Sequence, residues 1–307
     1  MKTLPFVQLP YDDVPEQPAV PHRFAETVRR DITIEPEGTP TTRVAIHEFG
    51  SGPPLLLIHG LMTSGYSFRY LLDELGARYR LLMPDLPGSG QSDHPDVYLG
   101  PDVLARSVLA MIDALSIRGV PVIGNSMGGY LCMRAALIDP GAMSRLVNLH
   151  SPGVPTARMH ALWWALRLLP SQLILDRLVR RDPARWVHKN VHYYDESLKS
   201  REEHRQYAQP LLTKEGRRAF YCQLHDTLDV VEMGRFVKQL RARPFPIPLL
   251  LLYATRDPMV PPSVGERLHA LIPTAQKIRL DHASHFAHVD AAPRFAAAID
   301  PFLSGTQ

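Results

Sequence analysis

The sequence predicts an α/β fold, a mostly parallel sheet covered by helices on both faces, with one helical insertion. Three observations carry this. Short apolar runs recur between turn residues, the pattern of strands buried on both faces. Segments of helical spacing separate them, and strands alternating with helices imply parallel pairing. From about Val154 to Val237 the apolar runs stop, leaving only helical patterns broken at Pro155, Pro170, Pro183 and Pro210.

The elements follow in order. Pro5, Pro10, Pro15, Pro18 and Pro21 favour an extended arm over residues 1–30, because each ring fixes φ and removes a donor. One early lysine without a continuous apolar run does not make a secretory signal. Val44–Phe49 alternates like a half-buried strand, while Pro54–Ile58 and Arg80–Pro84 read as central ones. Asp102–Leu115 has helical spacing through Leu104, Val108, Met111 and Ile112. Gly119–Ile123 is a strand that runs into GNSMGG and a helix to about Ile138, and Leu146–Leu149 is a further strand. Strands resume at Pro248–Tyr253 and Gln276–Leu280, with helices from about Ser263 and Ala292. The expected organisation is an arm (1–30), a core in two pieces (31–153 and 243–307) and a helical cap (154–242).

Composition narrows the function. The 307 residues are 45% hydrophobic and 21% charged, enough for a sizeable core. A net charge of +3 with scattered basic residues is too mild for a nucleic-acid partner. No stretch reaches the ~18 apolar residues of a membrane span. Cys132 and Cys222 do not have metal-ligand spacing, and Cys132 reads as a packed small hydrophobe in a helix. Two isolated thiols point to a reducing compartment. These features describe a soluble cytoplasmic protein acting on a small molecule, with no metal and no cofactor; a homodimer is left open.

Gly124-Asn125-Ser126-Met127-Gly128 has a strand before it and a helix after it. A sharp strand-to-helix turn lifts the central side chain above the sheet, and the flanking glycines remove β-carbons that would collide there. The helix N-terminus offers free N–H groups to a developing oxyanion. A serine needs a base, and the base needs orienting. Two later loops at the carboxyl edge of the sheet supply them: Asp257 after Tyr253, and His282 or His285 after Leu280.

The chain resembles the α/β-hydrolase superfamily over nearly everything except the arm. His59-Gly60 looks like its oxyanion loop, Asp85-Leu86-Pro87-Gly88-Ser89-Gly90-Gln91-Ser92-Asp93 like its D-x-P-G-x-G-x-S-D turn, and GNSMGG like its elbow. Arg256-Asp257 with Val260-Pro261 resembles the acid loop, and Ser284-His285-Phe286 followed by Pro293 the histidine loop. The resemblance implies a triad of Ser126, Asp257 and His285, with oxyanion donors at Leu61 and Met127 and with Met62 as a pocket wall. Ser284 supplies the small residue expected before the base, so His285 is preferred to His282. The family's alternative acid position holds Asn148, His150 and Ser151, with no carboxylate. Asp85 and His59 are expected to support their own loops.

In the cap, Ala157–Leu169 carries Trp163 and Trp164 on an apolar face, either packed on the core or lining an acyl tunnel. Tyr193 and Tyr194 are candidates for a pocket mouth. The expected activity is carboxylic-ester hydrolysis through an acyl-enzyme. The elbow also resembles that of hydrolases cleaving carbon–carbon bonds in ring-fission products, though Leu61-Met62 and Phe286 depart from that group. A ligand receptor with slow turnover is the alternative of a different class.

Overall fold

The computed structural model describes residues 5–168 and 170–305, so Leu169 and the first four residues of the arm lie outside it. Eight strands form one sheet in the order β1-β2-β4-β3-β5-β6-β7-β8. They are β1 (Val28–Ile34), β2 (Thr42–Phe49), β3 (Pro54–Ile58), β4 (Arg80–Pro84), β5 (Val120–Asn125), β6 (Met143–Leu149), β7 (Leu249–Ala254) and β8 (Gln276–Leu280). From β4 across to β8 every pairing is parallel, whereas β2 pairs antiparallel with both β1 and β4. The apolar runs explain the arrangement. Leu55, Leu57, Leu81, Ile123, Val147 and Leu250 bury against one helical layer, and Leu56, Leu82, Val122, Leu146 and Leu251 against the other.

Helices α1 (Leu71–Leu75), α2 (Pro101–Ala114) and α3 (Met127–Ile138) follow the early strands. Between β6 and β7 lie α4 (Ala157–Arg167), α5 (Ser171–Arg181), α6 (Pro183–Asn190), α7 (Arg201–Ala208), α8 (Lys214–Thr227) and α9 (Val230–Ala242), with no strand among the described residues. The chain closes with α10 (Pro262–Leu271), α11 (Ala287–Asp290) and α12 (Ala292–Ser304). Thr156, Asp182, Ser200, Thr213 and Asp229 each cap the helix that follows by accepting a backbone N–H. Those caps account for the sharp breaks in the insertion.

Strand β1 begins at Val28, inside the stretch expected to be arm. It is an edge strand, exposed along most of its length, and VRRDITI has no buried alternation to announce it. The arm itself is a strap on the insertion. Arg201 N–H donates to Pro15 O at 2.8 Å and Glu202 N–H to Glu16 O at 3.1 Å. His188 Nε2 lies 3.0 Å from Leu9 O, and Tyr70 on the sheet side donates to Val20 O at 3.2 Å. The prolines keep the arm extended so that its carbonyls stay free to accept these bonds.

A buried ion pair fastens the insertion to the sheet side. The Arg69 guanidinium meets Glu203 of α7 with both side chains fully buried. Tyr193 donates to the same Glu203 oxygen at 2.8 Å, and the Arg69 guanidinium lies over the rings of Tyr66 and Tyr70. Glu203→Gln is expected to cost about 3–5 kcal/mol, read as a lower urea midpoint, because it leaves a buried uncompensated guanidinium. Replacing both partners by apolar residues should cost less than either single change. An equal loss in the double variant would mean that the pair itself supplies net stability.

Candidate active site

β5 ends at Asn125 and α3 starts at Met127, so Ser126 alone makes the turn. Its φ of 52° and ψ of −120° suit glycine better than a side-chain-bearing residue. The surroundings hold that strain: Ser126 N–H donates to Leu149 O at 2.8 Å, and Asn125 and Met127 on either side are buried. Gly128 lets α3 lie against β3, since a β-carbon there would run into the Ile58 and His59 carbonyls. One added at Gly60 would sit 3.1 Å from Ser126 Cβ, so the loop after β3 passes directly beside the elbow.

That loop is braced from within. Leu86 N–H donates to His59 Nε2 at 2.9 Å, which leaves the proton on Nδ1 to donate to Gly60 O at 2.8 Å. Thr63 Oγ donates to the same carbonyl at 3.0 Å. Burial lowers the His59 pKa to about 4, so the ring is neutral near pH 7. In a trans peptide the carbonyl and the next N–H point in opposite directions. Turning Gly60 O inward therefore turns the Leu61 N–H outward. Met62 completes the turn at φ 63°. The Met127 N–H is the first of its helix and has no intrahelical acceptor.

The loops after β7 and β8 bring Asp257 and His285 together. His285 Nδ1 lies 2.7 Å from Asp257 Oδ2, both side chains buried. Asp257 Oδ1 accepts the N–H groups of Met259 at 2.7 Å and Val260 at 2.9 Å. Asn125, next to the elbow serine, donates from its side chain to His285 O at 3.1 Å. The elbow and the histidine loop are thus tied directly to each other.

A third group reaches the same carboxylate, and its sequence position gave no sign of it. His150, just beyond β6, is fully buried with φ 55°. Its Nε2 accepts the Ala254 N–H at 3.0 Å, so its proton sits on Nδ1, 2.9 Å from Asp257 Oδ2. Burial would raise the Asp257 carboxyl; His285 and His150 outweigh it and hold the group well below the usual carboxylate range. Burial likewise lowers the His150 pKa, keeping the ring neutral. His150, Asp257 and His285 are spaced like a metal-ligand set. The donor chemistry does not suit an ion, because His150 Nδ1 carries its proton toward the centre of the group.

The other expected residues divide. His282 is exposed, 3.0 Å from the Tyr194 hydroxyl, and faces away from the buried cluster. Asp85 organises its turn as expected, accepting Gly65 N–H at 2.8 Å and Gln91 N–H at 2.7 Å. Tyr193 is fully buried on Glu203 and lines no pocket mouth. The walls of the cavity that Met62 borders include neither Trp163 nor Trp164. The cavity that Met62 borders is about 10 Å³, room for one water, and its walls are Tyr207, Leu211, Phe220 and Gln223. Trp164 is instead 62% exposed, and Trp163 packs on it and under the Arg167 guanidinium. Helical spacing shows which residues share a face, and only the packing of α4 against α5, α8 and α9 shows which face turns inward.

An elbow serine stands beside a braced loop, with an Asp–His pair in the loops that follow the last two strands of the sheet. Residues 53–292 match the family model described as alpha/beta hydrolase fold, and the chain belongs to that family. It is 26% identical over 269 residues to 2-hydroxymuconate semialdehyde hydrolase of Pseudomonas sp. (strain CF600), covering 85% of this chain and 90% of that one. Among solved structures it resembles a thermophilic esterase from Thermogutta terrifontis (TM-score 0.72, 21% identity, 90% of this chain and 98% of that one). It also resembles the meta-cleavage product hydrolase CumD of Pseudomonas fluorescens IP01 (TM-score 0.67, 23% identity, 90% and 98% covered). Among the described residues no helix is long and apolar enough to cross a membrane.

Proposed function

We propose that the protein is a serine hydrolase cleaving carboxylic esters of small or medium, largely apolar substrates through an acyl-enzyme. The 2.7 Å bond from His285 Nδ1 to Asp257, made beside an elbow serine, carries the proposal. It leaves His285 Nε2 to take the Ser126 proton as Oγ attacks the carbonyl. The N–H groups of Leu61 and Met127 bind the tetrahedral oxyanion, each donor worth ~3 kcal/mol. The imidazolium then protonates the leaving alcohol, and water repeats the cycle on the acyl-enzyme. Residues 154–242 act as a cap that supplies the acyl-facing surface.

Relatives named 2-hydroxymuconate semialdehyde hydrolase and 2-hydroxy-6-oxo-2,4-heptadienoate hydrolase support a second reading, carbon–carbon bond cleavage of a ring-fission dienoate. Such a substrate carries a carboxylate that a neutral ester lacks, so the two readings differ in the charge the site must accept. Multiple turnover of p-nitrophenyl esters, with kcat/KM above that for a ring-fission dienoate, is the expected result. The reverse order would replace the ester reading with the carbon–carbon one, and a single burst would favour a receptor.

Phe220 lines the cavity beside Met62 and is only 6% exposed. Phe220→Ala is expected to raise kcat/KM for hexanoate over acetate, by about fourfold per methylene newly buried at ~0.8 kcal/mol each. An unchanged ratio would remove this wall from the acyl site.

His150→Phe removes the Nδ1–H that lies 2.9 Å from the Asp257 carboxylate. A fall in kcat of up to about tenfold is expected, because the buried carboxylate loses a nearby positive dipole. An unchanged kcat would reduce His150 to a packing role.

A further inference from the structure

The outward face of the α4–α5 hairpin is the least satisfied surface among the described residues. On α4 the exposed positions include Ala157, Ala161, Trp164 and Ala165, continued by Leu168, at the spacing of one helical stripe, with Arg158 and His160 exposed beside it. On α5 the exposed stripe holds Leu173, Ile174 and Leu178, while Leu175 and Val179 turn inward. The five large apolar side chains are each 54–71% exposed. Isolated exposed leucines are ordinary, whereas a continuous group of this kind marks an interaction surface.

Charge identifies the occupant. Residues 157–181 contain five arginines and one aspartate, a net +4 in a chain whose total is +3. Asp176 is already paired with Arg217, and Arg167 with Asp229. Arg177, Arg180 and Arg181 are exposed and have no acidic partner among the described residues. A second copy docking by two-fold symmetry would bring this face against itself, arginine against arginine. A negatively charged bilayer meets both features, since Trp and Leu enter the headgroup boundary while arginines stay among the phosphates.

We propose that the α4–α5 face docks the protein on anionic phospholipid surfaces. The test is co-sedimentation of the full chain with vesicles of phosphatidylcholine alone and of phosphatidylcholine with 30% phosphatidylglycerol. Binding to the anionic vesicles only, weakened by salt, is expected, with a blue shift in emission that Trp164→Phe removes. The triple variant Arg177→Gln/Arg180→Gln/Arg181→Gln should lower the partition coefficient by ~100-fold, and Leu173→Ser/Ile174→Ser should also lower it. Turnover of a soluble ester should be unchanged in both, which separates a lost docking face from a misfolded protein. Equal binding to both vesicle types, or none to the anionic ones, overturns the proposal. So does a wild-type dimer in size exclusion that Leu173→Ser/Ile174→Ser dissociates, because the face would then belong to a second copy.

Discussion

The Ser126→Ala protein is expected to take up no fluorophosphonate and to lose ester turnover by a factor of about 10⁶, the scale for removing the nucleophile of a serine triad. Peptide mapping of the labelled wild type should place the adduct on Ser126. Stability gives an independent reading. Because φ is 52° at this position, Ser126→Gly should be as inactive as the alanine variant, yet unfold at an equal or higher denaturant concentration. A stable, inactive glycine variant would show that the fold holds a strained serine for reasons other than stability. Retained labelling in either variant would place the nucleophile elsewhere.

Asp257→Asn is expected to lower kcat by about 10⁴-fold, since an amide would hold the imidazole in the wrong tautomer. His285→Ala should cost at least as much. Because the two act as a unit, the double variant should lose little more than His285→Ala alone. His282→Ala should stay within a few-fold of wild type, its ring being at the surface against Tyr194. Additive losses would mean that Asp257 acts on something other than His285. A severe His282 effect would move the base by three residues and break the link between the Asp257 bond and catalysis.

Much of this architecture was legible before the structure, and the reason is local. Strands buried on both faces must be apolar at nearly every position, so Pro54–Ile58 and Arg80–Pro84 could be bounded to the residue. The elbow was legible because a strand-to-helix turn needs small residues at fixed offsets. Asp257 and His285 could be paired as candidates because parallel strands all deliver their following loops to one sheet edge. Where side chains point across the molecule has no such local signature. Strand β1 is an exposed edge held by backbone pairing, so its charged side chains concealed it. The proline-rich stretch read only as an extended arm, and the fold shows its free carbonyls bound to α6 and α7. Trp163 and Trp164 shared an apolar helix face with true core residues, and only the packing of neighbouring helices turned Trp164 outward. His150 looked like the absence of an acid; burial beside Asp257, with its far nitrogen held by Ala254 N–H, brought its Nδ1 within 2.9 Å of that acid instead. Periodicity reports the environment of a residue's own element, while the partners of a buried polar group are set by distant segments that meet only in the folded chain.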